Sequence, residues 1–299
     1  MGEFAPARLQ AVKALPFGTG WLYEPKLDGY RGLLVSNSNG KGSLWSRNDK
    51  DLGRWFPELV ALAGRLPAGT ILDGEIVMPT DTGVSFMALQ RRLALLGRDS
   101  PVAFVAFDLL RQNEDLRQQK LSDRRRRLIR VVEQTSDSSL QLMTQTNDRE
   151  AARAWLDESL SISGIEGVVA KLDEPYPRPD LTRWRKVRRV ATMELAVRGF
   201  APEPNGSMRL VLSSRGNRSP LVGTTYPISG RDLQPLEAVV DSASPAEHRV
   251  WAPFEDGRRE WYALPDSVHL VVEVVVTPLD SGLLRQPARF VRWRTSDLM

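Results

Sequence analysis

The sequence predicts an α+β protein of two domains, with the boundary near residue 190. The chain has 299 residues, enough for two ordinary domains, and 41% of them are hydrophobic and 26% charged, as in globular proteins. Before the boundary, strand patterns alternate with stretches of helical periodicity. After it, short strands follow one another between glycine, proline and asparagine turns. We therefore expect a larger domain of sheets and helices over residues 1–190 and a small β-barrel over residues 191–299.

The first domain is predicted to begin with two strands over residues 21–36, separated by a turn at Asp28-Gly29. Ser122 and Asp148 are candidate N-caps, for helices that continue to Glu133 and to about Leu160. Two further helices are expected, at Pro57–Leu66 and Phe86–Leu96. The remaining strands of this domain are predicted at Ser43–Arg47, Thr70–Met78, Val102–Leu110, Glu166–Leu172 and Arg183–Val190.

The second domain contains five or six predicted strands and one helix in about 105 residues, which favours a small barrel, with the OB-fold as the first choice. The helix is expected between Asp232 and Asp241. The strands are predicted at Leu195–Phe200, Met208–Ser214, Leu221–Thr225, Arg259–Leu264, His269–Thr277 and Ala288–Arg294.

Composition excludes several classes of site. The chain has no cysteine, so disulfides, zinc–thiolate sites and thiol nucleophiles are excluded, and two histidines make a histidine-based metal site or triad a poor expectation. No apolar stretch of 18 residues and no secretory signal occurs, so we expect no membrane association and a cytoplasmic protein, located at the bacterial nucleoid. The net charge of +4 is modest. Arginines cluster at 124–127, and five cations lie within residues 183–189; such clusters fit either a polyanionic partner or a solvated face.

The strongest local signal is the hexapeptide Lys26-Leu27-Asp28-Gly29-Tyr30-Arg31. It places an amine at a strand end, beside a tight turn and a guanidinium. Lysine is ordinarily protonated, and nearby cations or a metal release its lone pair for nucleophilic attack. Taken alone, the hexapeptide fits a surface hairpin with an ordinary lysine equally well.

Other segments carry chemical groups at strand ends. Asp73-Gly74-Glu75 places carboxylates at a turn, and Phe107 ends an apolar strand with an aromatic ring that suits stacking on a base. Glu166 starts a strand that carries an amine five residues later. Side chains alternate along a strand, so Lys186 and Arg188 share one face. Each segment by itself is compatible with a purely structural role.

In this order, the segments resemble the motifs of the covalent nucleotidyltransferase superfamily, and most closely those of ATP-dependent DNA ligases, over nearly the whole chain. Lys26, Asp28, Gly29 and Arg31 match the Lys-x-Asp-Gly-x-Arg motif. The resemblance implies a nucleotidyltransferase domain of ATP-grasp-like antiparallel sheets with helices, followed by an OB-fold. It implies ATP-binding residues at Glu24, Arg31, Arg47, Glu75, Phe107, Lys171, Lys186, Arg188, Arg292 and Arg294.

The same resemblance implies that Lys26 forms a covalent AMP adduct from ATP and passes AMP to the 5′-phosphate of a nick, which a 3′-hydroxyl then seals. Glu24 would read the adenine amino group and Phe107 would stack on the base. Glu75 and Glu166 would bind Mg²⁺ or Mn²⁺, and Lys171, Lys186 and Arg188 would surround the α-phosphate. The implied partner is nicked double-stranded DNA, with repair proteins as further candidates, and the enzyme is expected to be a monomer active in repair or end joining.

The chain departs from the family pattern at three places. Arg188 stands where the fifth motif usually ends in lysine, and this changes the phosphate geometry. The last motif begins at Arg292-Trp293-Arg294 but lacks the family's closing lysine, which weakens the expectation of efficient self-adenylation. Lys26 lies so near the start that no preceding DNA-binding domain is expected, as in minimal bacterial or viral ligases.

Three alternative functions stay open from the sequence. An RNA ligase and an mRNA-capping guanylyltransferase both share the lysine motif. A non-catalytic nucleic-acid-binding module would use the OB-fold and the basic strands without ATP.

Overall fold

The computed structural model describes residues 4–81, 83–95, 101–157, 164–178, 180–189, 191–214, 219–246, 250–251, 258–276, 283–284 and 286–294. The chain divides into two compact units, residues 1–189 and residues 190–299. No helix among the described residues is long and apolar enough to cross a membrane.

In its described residues, the first unit consists of a smaller and a larger sheet, a two-stranded ribbon, and helices that pack on both sheets. Its strands are β1 Leu9–Ala11, β2 Trp21–Leu27, β3 Tyr30–Ser36, β4 Gly42–Ser46, β5 Thr70–Val77, β6 Pro79–Thr80, β7 Gly83–Val84, β8 Ala103–Gln112, β9 Glu114–Asp115, β10 Leu140–Leu142, β11 Ile165–Leu172 and β12 Trp184–Arg188. Its helices are α1 Pro57–Ala63, α2 Phe86–Leu95, α3 Leu121–Thr135 and α4 Arg149–Ala154.

The smaller sheet has the strand order β1-β12-β11-β2, and the larger has the order β10-β8-β5-β3-β4 with β9 beside β8. The sheets are mixed, because β1 runs parallel to β12 and β10 parallel to β8. The expectation of purely antiparallel sheets was therefore wrong at one strand pair in each sheet. Both exceptions are short edge strands that are separated along the chain by long connections from the strands they pair with, and long connections allow parallel pairing.

Strand β8 explains the continuous apolar run that the sequence shows there. Phe104 and Ala106 belong to the core under the helices, whereas Val105 and Phe107 belong to a second core that also contains Trp184 of the smaller sheet. Because both faces of β8 are covered, its sequence does not alternate between apolar and polar residues. The second core places Phe107 close to the strands that carry the predicted site.

The turn at Asp28-Gly29 connects the two sheets. Strand β2 lies in the smaller sheet and β3 in the larger, so the two strands do not form the hairpin that is one reading of the hexapeptide. A Cβ on Gly29 would lie 2.3 Å from the carbonyl oxygen of Ile76, which is far closer than atoms can pack. Glycine at this position is therefore required by the close approach of β5.

Two helix starts and ends differ from the prediction. Helix α3 begins at Leu121 with Lys120 as its N-cap residue, and Ser122 lies inside the helix, where its backbone N–H and hydroxyl both bond to Asp173. Asp148 does cap α4, accepting from the backbone N–H groups of Glu150 and Ala151, but the helix ends at Ala154. The predicted ends at Leu96, Leu160 and Val190 lie outside the described residues.

The second unit contains β13 Ala191–Pro202, β14 Met208–Ser213, β15 Leu221–Thr224, α5 Gln234–Glu237, β16 Ser244–Pro245, β17 Val250–Trp251, β18 Arg258–Arg259, β19 Tyr262–Ala263, β20 Leu270–Val276 and β21 Arg289–Arg294. The predicted single helix is α5, flanked by 3₁₀ turns at Gly230–Leu233 and Val240–Ser242. The predicted strand Arg259–Leu264 divides into β18 and β19, and the predicted end at Thr277 lies outside the described residues.

The strand pairing of the second unit forms a ring. Long β13 pairs with β14 on one edge and with β20 on the other, β14 pairs with β15, and β20 pairs with β21. A parallel bridge joins Thr225, just after β15, to Ala288, just before β21. The buried side chains inside include Leu210, Leu212, Val272 and Val274. The alternation along β14 and β20 therefore fills one closed core.

Candidate active site

Lys26 lies near the end of β2, directly opposite Gly167 of β11. Strand β11 has an irregularity between Ile165 and Gly167, and a Cβ on Gly167 would lie 2.0 Å from the carbonyl oxygen of Val187. This local distortion turns Glu166 toward β2, where its carboxylate accepts a hydrogen bond from Lys26 Nζ. The two side chains, 140 residues apart in sequence, form a half-buried ion pair.

A cavity of about 60 Å³ opens beside this pair. It is smaller than the usual volume of a ligand pocket. Strands of both sheets contribute to its wall. The predicted site residues that line it are Glu24, Lys26, Arg31, Glu75, Phe107 and Lys171.

Glu24 is buried next to this cavity and is held from two sides. Lys171 Nζ lies 2.6 Å from Glu24 Oε2, and Gln145 Nε2 donates to Glu24 Oε1 at 2.7 Å. The Lys171 side chain is 1% exposed. Its ion pair with Glu24 does not have the geometry of a hydrogen bond, so the ammonium N–H groups can still donate to a ligand in the cavity. The structure thus places Lys171 beside Glu24 rather than beside Lys26.

Two aromatic rings form the floor under Lys171. Its Nζ lies 4.3 Å from the ring centre of Phe107 and 4.1 Å from that of Trp184. The rings meet edge to face, with their centres 6.0 Å apart. A cation over an aromatic face is stabilised by the ring quadrupole, and more strongly where water is excluded. Stacking of Phe107 on a base stays a prediction, since its ring is buried against these neighbours.

Arg31 is held by a buried network. Its Nε and Nη2 donate to the two carboxylate oxygens of Asp73, at 2.9 and 2.6 Å, and its Nη1 donates to the carbonyl of Ala7 at 2.5 Å. The Tyr176 hydroxyl donates to Asp73 at 2.6 Å and accepts from Arg31 at 3.1 Å. Burial lowers the pKa of Arg31, but Asp73 and Tyr176 more than offset this and the net pKa is raised. The guanidinium is therefore a permanent, fixed cation in the wall of the cavity.

Charges of both signs surround Lys26. The pKa of Glu75 is raised to about 7, mainly by burial; Lys26 and Arg31 oppose this rise, and Glu166 and Asp73 add to it. Burial also lowers the pKa of Lys186, in the same direction as the neighbouring cations Arg188, Lys26 and Arg47. Cations suited to phosphate therefore lie next to a pair of carboxylates.

The carboxylate pair is compatible with a metal ion. The described part of the chain contains no group of three or more histidine, cysteine or acidic side chains that would by itself hold a metal. Glu75 and Glu166 are two oxygen ligands, and the charge of Glu166 adds to the rise that burial produces in the pKa of Glu75. A divalent cation that takes its remaining ligands from phosphate and water fits such a pair.

A family description, the ATP dependent DNA ligase domain, matches residues 8–188 of the chain, which include all of these site residues. The chain belongs to the ATP-dependent DNA ligase family. Formation of an AMP adduct on lysine is general to this family. The match decides between the functions that the sequence left open, in favour of a DNA ligase and against a capping enzyme or a non-catalytic binding module.

Relatives and solved structures agree with this assignment. The chain is 30% identical to DNA ligase C of Mycobacterium tuberculosis, over 98% of this chain and 90% of that protein. It is 34% identical to the multifunctional non-homologous end joining protein LigD of Pseudomonas aeruginosa, over 69% of this chain and 24% of that protein. The solved structure of a mycobacterial DNA ligase D complexed with ATP and MES matches with a TM-score of 0.58 and 28% identity, over 99% of this chain and 96% of that one.

The remaining predicted site residues of the ligase lie in its second unit, on β21. Arg292 Nε donates to Glu273 Oε2 at 2.7 Å, and Arg294 Nη2 lies 2.8 Å from the same oxygen. Arg294 Nε also lies 3.1 Å from Glu194. The hydrogen bond from Arg292 lowers the pKa of Glu273, so the glutamate stays charged between the two arginines. Residues 295–299, which end the last motif, lie outside the described residues.

Sequence reasoning missed two residues that hold the ligase site together. Tyr176 lies in a proline-rich loop, and nothing in its spacing shows that its hydroxyl reaches Asp73 on another strand. Gln145 lies between β10 and α4, where no motif marks it. Their separations from their partners, 103 and 121 residues, explain why a local pattern does not find them.

The arginine cluster at 124–127 serves the fold more than a partner. Arg124 is buried and forms a two-point ion pair with Asp108, at 2.7 and 2.8 Å. Arg126 and Arg127 pair with Asp123 and Glu114 on the surface. The polyanion interpretation of this run was therefore wrong for Arg124, because its charge is used inside the protein.

Proposed function

We propose that Lys26 is the nucleophile of a nick-sealing DNA ligase and carries AMP between ATP and DNA. The observation that supports this most directly is the cavity wall itself. It gathers an amine, a buried carboxylate, an aromatic ring and a fixed guanidinium from strands of two sheets. Each of these four groups occupies a motif position that the sequence analysis identified.

The proposed reaction proceeds in three transfers. Lys26 gives up its proton, for which the Glu166 carboxylate in contact with Nζ is a suitable acceptor. Its nitrogen then attacks the α-phosphorus of ATP, a P–N bond forms, and pyrophosphate leaves. The 5′-phosphate of the nick next attacks the same phosphorus and releases Lys26. Finally the 3′-hydroxyl attacks the 5′-phosphate and AMP leaves.

Each transfer places negative charge on phosphate oxygens, so cations are needed around them. We assign Lys186, Arg188 and Arg47 to this role, because they lie in the electropositive surroundings of Lys26. Arg31, whose guanidinium is held in place by Asp73, is assigned to the ribose or the nick phosphate. Mg²⁺ or Mn²⁺ bound by Glu75 and Glu166 would supply further positive charge at the phosphates.

Glu24 and Phe107 are assigned to the base of ATP. The Glu24 carboxylate accepts hydrogen bonds only, which suits the adenine 6-amino group. Lys171 lies between the two residues in the structure, so we assign it to the base end of the site. The α-phosphate role that the resemblance implied for Lys171 is not supported by this position.

We propose that the first unit is the adenylation domain and that the second is an OB domain. The ring of five strands, closed by a parallel bridge between Thr225 and Ala288 and carrying a helix between β15 and β20, supports the OB proposal. Arg292 and Arg294 on its last strand are proposed to contact the ATP pyrophosphate. DNA repair or end joining is proposed as the setting, since one relative is named a multifunctional non-homologous end joining protein. Nicked duplex DNA is proposed as the substrate and the monomer as the active form.

The proposal is tested by replacing Lys26 with arginine. Lys26→Arg keeps a cation for Glu166 but removes the nucleophile, because guanidinium is not deprotonated in proteins. We expect no gain of AMP mass after incubation with ATP and Mg²⁺, while the melting temperature stays close to that of the wild type. Arg153→Lys, on exposed α4, is the matched control and should form the adduct normally. An AMP adduct on the Lys26→Arg protein would remove Lys26 from its role.

A further inference from the structure

Gln145 is hydrogen-bonded to Glu24, which lines the cavity, and is not itself one of the lining residues. Its Nε2 donates to Glu24 Oε1 at 2.7 Å. The other oxygen of Glu24 lies 2.6 Å from Lys171. Each oxygen of the carboxylate thus has one partner, and each keeps an acceptor position for a further donor.

The backbone fixes Gln145 in this place. Its neighbour Thr146 exchanges two backbone hydrogen bonds with Tyr23, at 2.8 and 3.0 Å, so residue 145 is registered against residue 24 of β2. On the other side, the Met143 N–H donates to the carbonyl of Ala106 on β8. The segment is tied to both sheets of the first unit, and the amide therefore has a defined position relative to Glu24.

Two different donors restrict the carboxylate in a way that one would not. The ion pair with Lys171 alone allows the carboxylate to rotate about the shared oxygen, because ammonium has no directional preference of its own. The Gln145 amide adds a second, directional contact on the opposite oxygen. It does so without adding charge, so Glu24 and Lys171 remain a balanced pair in a buried position.

We propose that Gln145 is a positioning residue for base selection, which orients Glu24 to accept a hydrogen bond from the 6-amino group of adenine. The proposal rests on the role assigned to Glu24 above. A fixed acceptor favours an amino group and rejects the 6-oxo group of guanine or hypoxanthine, whose oxygen would face the carboxylate without a proton between them. A carboxylate that is allowed to rotate loses part of this discrimination.

The test measures self-adenylation of full-length protein at several concentrations of ATP, of ITP, and of purine riboside triphosphate, which lacks a 6-substituent. Gln145→Met keeps the length of the side chain and removes its donor. We expect the half-saturating ATP concentration to rise about tenfold, the size of one hydrogen bond to a charged group. The rate at saturating ATP should not change, because Gln145 touches no reacting atom. Purine riboside triphosphate should bind no worse than it does to the wild type.

Two further variants separate the possible failures. Gln141→Met, on an exposed position of β10, makes the same chemical change away from Glu24 and should leave all three nucleotides unaffected. Glu24→Gln tests the assigned role itself and should lose the preference for ATP over ITP. If Glu24→Gln loses this preference and Gln145→Met keeps it, the inference about Gln145 is overturned while the proposed site stands. If Glu24→Gln keeps the preference, the role of Glu24 is wrong and the inference fails with it.

Discussion

Replacing Tyr176 with phenylalanine should destabilise the first unit strongly, although it removes a single oxygen atom. The hydroxyl donates to Asp73 at 2.6 Å and accepts from the Ala7 N–H at 2.9 Å, and both contacts are buried. Burial raises the pKa of Tyr176 well above its usual value, so the hydroxyl remains a donor at all working pH values. Its loss removes a hydrogen bond to a buried carboxylate and leaves a buried N–H without its partner, each costing about 1–3 kcal/mol.

We therefore expect the free energy of unfolding to fall by about 3 kcal/mol. For a unit of this size, 1 kcal/mol lowers the melting temperature by about 2–4 °C, so the expected fall is about 6–12 °C. Tyr176 also contacts the guanidinium of Arg31. The contact that Arg31 is proposed to make with the ribose or the nick phosphate should therefore weaken as well. Slower AMP-adduct formation at low ATP should accompany the loss of stability.

Tyr23→Phe is the matched control for this prediction. Tyr23 is also buried and lies in the same unit, and its hydroxyl donates a hydrogen bond to the carbonyl of Pro16 at 2.8 Å. Loss of one neutral hydrogen bond costs about 1 kcal/mol. Thermal melts and hydrogen exchange of first-unit peptides would be compared for the two variants. Equal shifts would refute the argument that the network around Asp73 makes the Tyr176 hydroxyl worth more than an ordinary one.

Three further predictions follow from the charges. The pKa of Glu75 is raised to about 7, and a protonated carboxyl does not bind Mg²⁺. Adduct formation at limiting Mg²⁺ should therefore fall as pH drops through about 7. The Glu75→Gln variant should lose this pH dependence. The same raised pKa means that the contribution of Glu75 to stability is full below pH 4.5 and is lost as pH rises through 7, which urea titrations of wild type and Glu75→Gln would show. Asp108→Asn leaves Arg124 buried without its counter-charge, so the free energy of unfolding, measured with denaturant, should fall by about 3–5 kcal/mol. Asp123→Asn, at an exposed ion pair, should lower it by less than about 1 kcal/mol. Affinity for nicked duplex DNA should decrease linearly with salt on logarithmic axes, since phosphate contacts dominate such binding; a flat response would contradict it.

The sequence alone was sufficient for the long strands and the motifs of the first unit. The strands that carry Lys26, Glu75, Phe107 and Glu166 were predicted close to their observed bounds. Alternation and apolar runs are local properties, and they report directly on which faces are buried. The order of the motifs along the chain identified the family, which residues 8–188 confirm.

The partners of those residues depended on contacts between distant parts of the chain. The sequence predicted Arg31 as an ATP-binding residue and gave no sign of its partners within the protein. In the structure its three guanidinium nitrogen atoms bond to Asp73 and Ala7, in a network that Tyr176 completes. Lys171 looked like a phosphate ligand, and the register of β11 against β2 places it beside Glu24 instead. No local pattern contains the register between two strands that lie about 145 residues apart.

What the sequence by itself determined is which chemical groups the protein has and which strands carry them, because side-chain periodicity is a property of neighbouring positions. The predicted turn at Asp73-Gly74-Glu75 and the predicted strand end at Phe107 were wrong, since these residues lie inside β5 and β8. What only the tertiary structure decided is which of these groups touch each other. The Asp28-Gly29 crossing sends β2 and β3 into different sheets, and the irregularity before Gly167 turns Glu166 toward Lys26. At Gly29 a backbone oxygen of β5 lies where a Cβ would otherwise be, and at Gly167 a backbone oxygen of β12 does so. Such contacts form only when the strands come together in the folded protein.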